Sequence, residues 1–535
     1  MLRINEISVP LGTDVEAIKK AAAKEIGISV GNITYFEIAR ESIDSRKKNN
    51  IKMIYSVNIE LDGDEENIAL SYPANKVSLC ERYSYEMHEN RRTSAFRPVV
   101  VGFGPAGMFA SLILARAGLC PFVIERGNDV DTRTKDVHSF WTTRRLNTSS
   151  NVQFGEGGAG TFSDGKLTTG IKDSRCRFVL ETFASHGAPE QILYSAHPHI
   201  GTDKLAGVVK SIREEIISLG GTVNFGCRLD EIYEANGYIQ GIAYTDADGH
   251  AVDMETDTVI LCIGHSARDT VAMLHSHGIN MEKKPFSVGV RIEHPQELIN
   301  KGLFGSQWNN PLLGAANYKF ANHPPHGRGG YTFCMCPGGT VVLASSEEDM
   351  VVVNGMSEYA RDGENANSAI LVGIEPDYFE GDDPLSGIAF QRNIERAAFN
   401  FGGKNYNAPV QLVGDFLKDT PSKKLGTVRP TCTTGTETGD IRKILPKCVT
   451  DSIASAISAF DKKLPGYAMH DAVLTAPESR SSSPVRIIRD ECRQASIKGI
   501  FPCGEGAGYA GGIVSAAVDG IRSAEAVLDD ELDDC

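Results

Sequence analysis

Six consecutive residues, Gly102-Phe103-Gly104-Pro105-Ala106-Gly107, have the types and spacing to hold a pyrophosphate. An apolar run at 99–101 leads into them, and a second apolar run closes on Glu125 and Arg126. Gly102 supplies a tight turn, Gly104 lets backbone N–H groups reach phosphate oxygens, and Gly107 lets helix and strand pack closely. The helix that follows offers its positive dipole end and its unpaired N–H donors to an anion. Glu125 stands where a carboxylate accepts hydrogen bonds from an adenosine ribose. Strand, turn, helix, second strand and terminal acid, in that order, make half of a nucleotide-binding βαβ unit. The alternative, an ordinary Gly-rich turn, leaves that order unexplained.

Three further signals choose between dinucleotides. In residues 154–167, FGEGGAGTFSDGKL, the Gly157-Gly158-Ala159-Gly160 run is too poor in side chains to pack a core. It can bring backbone donors against a long ligand, with Thr161, Ser163 and Lys166 adding polar contacts. An apolar run at 259–263 ends at Gly264, where the chain can turn close to phosphates. Near the end, Gly504-Glu505 precedes Gly511-Gly512-Ile513, which opens a helix. Glu505 would reach ribityl hydroxyls, and a helix starting near Gly512 would aim its positive end at the N1/O2 edge of a flavin.

These sites need elements to position them, and at 535 residues two to four domains are expected. Composition is that of a globular protein, 41% hydrophobic and 23% charged. The net charge of −15 argues against nucleic acid as the main partner. Twelve scattered cysteines, an opening that alternates like a strand rather than a leader, and no membrane-length apolar run point to the reducing cytoplasm. The acidic tail at 529–534 reads as a solvated end. Periodicity divides the chain into a small α+β module at 1–94, a first nucleotide-binding part at 95–265, a substrate or cap region at 266–489 and a second nucleotide-binding part at 490–535. The first module has strands near 2–9, 33–43 and 51–61, a helix at 14–26, and a basic turn at Arg46-Lys47-Lys48 read as a solvated hairpin tip. No second GxGxxG lies between 266 and 495, and no CxxC stands beside either nucleotide motif. A resident NAD(P)H domain and disulfide-reductase chemistry of the usual kind are therefore not expected.

The order GxGxxG…ER, GGAGTFSDGKL, Gly264 and GEGAGYAGGI resembles the two-dinucleotide-binding flavoprotein superfamily. The strings at 197–205, 287–296, 331–339, 354–369 and 478–487 extend the resemblance, over almost the whole chain, to the bacterial and plastid FAD-dependent dehydrogenases. The resemblance implies FAD as cofactor and a redox function. Gly102, Gly104, Pro105, Ala106, Gly107, Glu125 and Arg126 would then hold the ADP half, and Leu229 would meet adenine through its backbone. Many relatives carry Asp where this chain has Glu505.

Beyond the cofactor several groups could do chemistry, and none is assigned to catalysis. Cys334 and Cys336, read as sharing one face of a strand, could be a redox pair, a zinc site with His323 and His326, or plain packing. His199, with His197, could line a pocket or sit in a solvated turn. Arg291 and His294 could bind an anionic substrate beside the flavin or face water from a strand. Arg480, followed by Ser481-Ser482-Ser483, could take a phosphate or carboxylate, or be a polar loop.

The expectation is an α/β protein: a Rossmann-like FAD-binding domain with an inserted mixed α+β substrate domain and a small N-terminal α+β module. It would transfer hydride between flavin N5 and a small organic substrate, with NAD(P)H docking transiently if at all. Two alternatives are an FAD-dependent reductase of unsaturated or polyprenyl compounds, favoured by a greasy pocket, and an RNA-associated flavoprotein docking through Arg46–Lys48.

Overall fold

Val99–Val101 is buried on both faces, as a strand in the middle of a doubly covered parallel sheet must be. In the computed structural model, which describes residues 1–529, it is the central strand of five. The order is Ile500–Pro502, Val259–Leu261, Val99–Val101, Phe122–Glu125 and Thr222–Phe225, all parallel. The early strand Val99–Val101 and the late strand Ile500–Pro502 thus flank the same strand, Val259–Leu261. Helix Pro105–Arg116 starts with proline at its first position, where no N–H is needed. It packs against helix Ile513–Leu528 so closely that a Cβ on Gly520 would stand 2.1 Å from the Ala106 carbonyl oxygen. A three-stranded antiparallel sheet, residues 228–255, adjoins this layer.

The other large layer is a seven-stranded sheet. Its spine is Phe286–Pro295 paired antiparallel with Asn365–Ile374 along their full length, from Phe286 opposite Ile374 to Pro295 opposite Asn365. Gly330–Cys336 and Val473–Glu478 flank this pair. Helices Lys447–Lys463 and Ser386–Phe401 contribute Ile453, Ile457, Phe460 and Phe399 to the apolar core that this sheet shares. The mixed α+β character expected for the middle of the chain is present.

At the start of the chain a four-stranded sheet, ordered Ile33–Asp44, Lys52–Leu61, Leu2–Pro10 and Val77–Leu79, carries helix Val15–Glu25. Asp14 caps that helix by accepting from the Ala17 N–H at 2.7 Å. The basic hairpin tip is exposed, as expected: Arg46 pairs with Asp44, and the exposed Lys48 Nζ donates to the Gly302 carbonyl at 2.6 Å. Of the acidic tail, Asp529 accepts from His88 at 3.1 Å, and the rest lies outside the described residues. Among the described residues no helix is long and apolar enough to cross a membrane.

Candidate functional site

One cavity of about 610 Å³, a usual size for a small-molecule or cofactor site, is walled by turns of the parallel sheet and by the seven-stranded sheet. Gly102, Gly104, Pro105, Ala106, Glu125 and Arg126 line one end. Two of the turn's glycines are sterically required. Gly102 has φ +96° and no room for a Cβ, which would stand 2.7 Å from the Cys262 carbonyl oxygen. A Cβ on Gly107 would lie 1.9 Å from the Gly102 carbonyl oxygen, so Gly107 sits behind the wall as the packing residue.

Gly158, Ala159, Gly160, Ser163 and Lys166 form a second wall. Gly157 and Thr161 support it without lining it: the Thr161 hydroxyl donates to the Glu156 carbonyl at 3.1 Å. Gly264, Glu505, Gly511, Gly512 and Ile513 form a third, and Leu229 also lines the cavity. Helices Pro105–Arg116 and Ile513–Leu528 both begin at this cavity with glycine caps and no side-chain capping bond. Two positive dipole ends with unpaired donors face the same space.

Glu125 is more committed than the sequence suggests. Its buried carboxylate accepts from the N–H groups of Phe103 at 2.8 Å and of Gly127 and Gly155 at 2.9 Å, tying three turns together. About one of its four lone-pair directions is left for a ribose hydroxyl. Glu505 lies 3.0 Å from His265 Nδ1, and His265 Nε2 is buried on the cavity wall without a partner. Uncapped helix starts, a glycine turn with no space for side chains and an orphaned imidazole nitrogen together fit a long polar ligand bearing a pyrophosphate, such as FAD.

Gly504 does not line the cavity; its N–H donates to Asp519 at 2.8 Å. Burial alone would raise the Asp519 carboxyl, but Arg489, Arg493 and that N–H outweigh it and hold it at about 2. A depressed carboxylate stabilises the fold above its unfolded pKa of about 3.9, and the contribution disappears as pH falls through the folded value. Asp519→Asn is expected to cost about 2 kcal/mol at pH 7, with the deficit shrinking between roughly pH 4 and pH 2. Thermal melts across that range check this; a constant deficit would count against the assignment.

The far end of the cavity is charged. Buried Asp164 accepts from Arg361 Nε at 2.9 Å and lies 3.1 Å from Lys166 Nζ. Burial pushes its carboxyl up, but Lys166 and Arg361 outweigh that and hold it below the usual range. Arg480 also lines the cavity, but its guanidinium is already engaged within the protein. Its guanidinium is buried against Glu395 at 2.6 and 3.0 Å and donates to Ser266 and Ser346.

Three candidate substrate residues do not line the cavity. Arg291 is wholly buried and neither faces water nor lines the cavity: it forms a two-point pair with Glu478, at 2.5 and 3.1 Å, and donates to Asn367 and Asn354. His294 is equally buried, with Nε2 2.7 Å from the Tyr467 carbonyl oxygen, and burial pushes its pKa down to about 4. His199 stacks on Tyr359 with ring centroids 5.2 Å apart, while its neighbour His197 lines the cavity. The cysteine pair is also rearranged. Pairing jumps from Phe333 opposite Ala369 to Cys336 opposite Asn367, a bulge that removes simple alternation. Cys334 reaches the cavity and Cys336 lies buried beneath Arg291. Among the described residues, the grouping close enough to hold an ion is Asp246, Asp248 and His250, which excludes the cysteines, His323 and His326.

Sequence reasoning missed His265, Asp164, Arg361 and Glu478 as wall residues. All four stand within or next to strings already singled out, at 259–264, 154–167, 354–369 and 478–487, but their chemistry depends on partners far away in the chain.

Residues 285–481 match the family model described as FAD-dependent protein, C-terminal domain-like, and residues 1–60 match a domain of unknown function. An uncharacterized protein of Clostridium beijerinckii is 49% identical over 532 residues, covering 99% of this chain and 98% of that protein. The chain belongs to the same family as that protein, a family of FAD-dependent proteins, and FAD is its cofactor. Solved structures with a similar arrangement include the flavin-dependent brominase Bmp2, at TM-score 0.39 and 11% identity over 81% of this chain and 79% of that one. Another is a geranylgeranyl bacteriochlorophyll reductase-like protein of Thermoplasma acidophilum, at TM-score 0.35 and 12% identity over 81% and 77%.

Proposed function

We propose that the protein is a cytoplasmic FAD-dependent oxidoreductase that exchanges hydride with a small polar organic substrate. The observation that carries the reading is one cavity joining the glycine turns and two uncapped helix starts to a charged far end. Gly102, Gly104, Pro105 and the start of helix Pro105–Arg116 would hold the pyrophosphate, and Glu125 with Leu229 the adenosine. Gly158–Gly160, Glu505, His265 and the start of helix Ile513–Leu528 would hold the ribityl chain and ring. Bound FAD supplies a two-electron centre that gives or takes a hydride at N5.

The chain's own groups do the rest. The start of helix Ile513–Leu528 would favour negative charge on a flavin bound in the cavity. Lys166, Arg361 and Asp164 give the substrate end fixed charge, which favours a polar substrate over a polyprenyl one. Anaerobic titration of the yellow protein with NADH and NADPH, followed by a screen of small polar oxidants for recolouring, tests the reading. Bleaching by a reductant and recovery by a small polar compound is expected. A flavin that no reductant bleaches would leave only a structural role for it.

A further inference from the structure

The proposed function gives no task to Cys334 and Cys336, and their surroundings are not those of inert packing. Cys334 stands on the cavity wall at φ +41°, a left-handed backbone that a non-glycine residue adopts at a cost. The bulge that imposes it sets two residues, Cys334 and Met335, opposite Ser368 alone, and so re-aims the Cys334 side chain out of the strand's alternation. Cations converge on the same spot from separate elements. Lys166 Nζ donates to the Met335 carbonyl oxygen, and Arg291 donates to the Cys334 carbonyl oxygen at 3.0 Å while lying 3.9 Å from Cys336 Sγ. Two carboxylates are close as well: Asp164 on Lys166, and Glu478 on Arg291.

We propose that Cys334 and Cys336 are a dithiol–disulfide pair that trades two electrons with the flavin, Cys334 being the half-buried attacking sulfur on the cavity wall and Cys336 the buried partner. Oxidation forms one sulfur–sulfur bond; the dithiol gives up two electrons and two protons, and oxidised FAD takes up both. The reverse step opens the disulfide at the expense of reduced FAD. The pair thereby gives the site a second two-electron store on the wall that the substrate must pass. The electrostatics agree. The neighbouring Cys336 side chain, with Lys166 and Arg291, outweighs burial and Asp164 and holds the Cys334 thiol well below the ordinary range. The nearness of Cys334, and burial, push up Cys336, whose thiol donates to the Cys334 carbonyl oxygen at 3.3 Å. One attacking thiolate and one protonated partner is the asymmetry that exchange requires. Burial likewise pushes Glu478 up to about 7 against the pull of Arg291.

The inference rests on FAD binding, and the two are separable experimentally. In the intact yellow protein, iodoacetamide labelling followed by peptide mass mapping is expected to modify Cys334 at pH 6 about tenfold faster than the partly exposed Cys120. Diamide is expected to link Cys334 to Cys336, and in Cys336→Ser, diamide with glutathione should instead leave a mixed disulfide on Cys334. Diamide-treated wild type should consume about one more equivalent of dithionite before bleaching than Cys334→Ser treated alike. Slow labelling, no linkage, or equal dithionite uptake by a yellow protein overturns the pair and leaves the flavin reading intact. A protein that holds no flavin overturns the parent reading, and its colour shows this before any thiol chemistry. Mapping of the wild type needs no variant, so a poorly folding substitution does not shield the proposal.

Discussion

Replacing Gly104 by valine is expected to leave the chain folded and to strip it of FAD, whereas valine at Gly107 should prevent folding altogether. The two positions are three residues apart in one motif, yet they answer to different constraints. At Gly104 the backbone is extended, φ −74° and ψ −176°, which valine adopts readily and which suits the residue before a proline. A Cβ there meets nothing closer than Gly158 Cα at 3.7 Å, an ordinary contact. Losing glycine as a cap costs about 1 kcal/mol. The valine methyls, however, stand where a phosphate must approach the backbone donors. Forfeiting about two charge-assisted hydrogen bonds, at roughly 1.5–3 kcal/mol each, weakens FAD binding at least about a hundredfold. At Gly107 the obstacle is the protein itself, since a Cβ 1.9 Å from a carbonyl oxygen forces turn and helix apart. A cost above about 4 kcal/mol is expected. Far-ultraviolet circular dichroism and flavin absorbance, measured together, distinguish the cases. Stoichiometric FAD in Gly104→Val would remove the phosphate cradle from consideration.

The second large effect is expected at Glu395, which touches no ligand. Its wholly buried carboxylate accepts from Arg268 at 2.8 and 3.0 Å, from Arg480 at 2.6 and 3.0 Å, and from the Ser479 hydroxyl at 2.7 Å. It joins helix Ser386–Phe401 to the segment after Gly264 and to the strand end at Glu478. Truncation to alanine leaves two buried guanidinium groups facing each other with one fewer counter-charge, at a cost of about 3–5 kcal/mol. Burial opposes ionisation here, but Arg480 and Arg268 outweigh it and hold the carboxyl far below the usual range. With the folded value depressed, the stabilisation is fully present above the unfolded pKa of about 4.3 and lost only as pH falls toward the folded one. The gap between wild type and Glu395→Ala, read as the urea midpoint, should be constant from pH 6 to pH 8 and narrow in acid. A variant that melts with the wild type at pH 7 would show that the network is not held through this carboxylate.

Legibility in the sequence followed the range of the interactions. The parallel strand, its glycine turn and the following helix were readable because the constraints act within about ten residues: three β-branched residues, a required positive φ, a proline at the helix start. The seven-stranded sheet was not. Phe286–Pro295 is buried on both faces, and its Arg291, Glu293 and His294 look like surface or ligand-binding residues when read alone. Their partners are Glu478, Thr431 and Tyr467, which no local pattern connects to them. The shared strand face read for Cys334 and Cys336 was misread for a related reason, because the bulge is a property of the pairing with Asn365–Ile374 and not of the string Cys334-Met335-Cys336.

Both helix starts that face the cavity belong to segments far apart in chain order, one beginning at Pro105 and the other at Ile513. During synthesis the first glycine turn leaves the ribosome long before the strand Ile500–Pro502 that completes the sheet beside it. Cofactor capture therefore waits for the last elements to emerge, and a nascent chain carries an incomplete cradle until then. Once captured, the dinucleotide bridges early and late segments, so free FAD in the medium should raise the resistance of the whole chain to proteases by mass action.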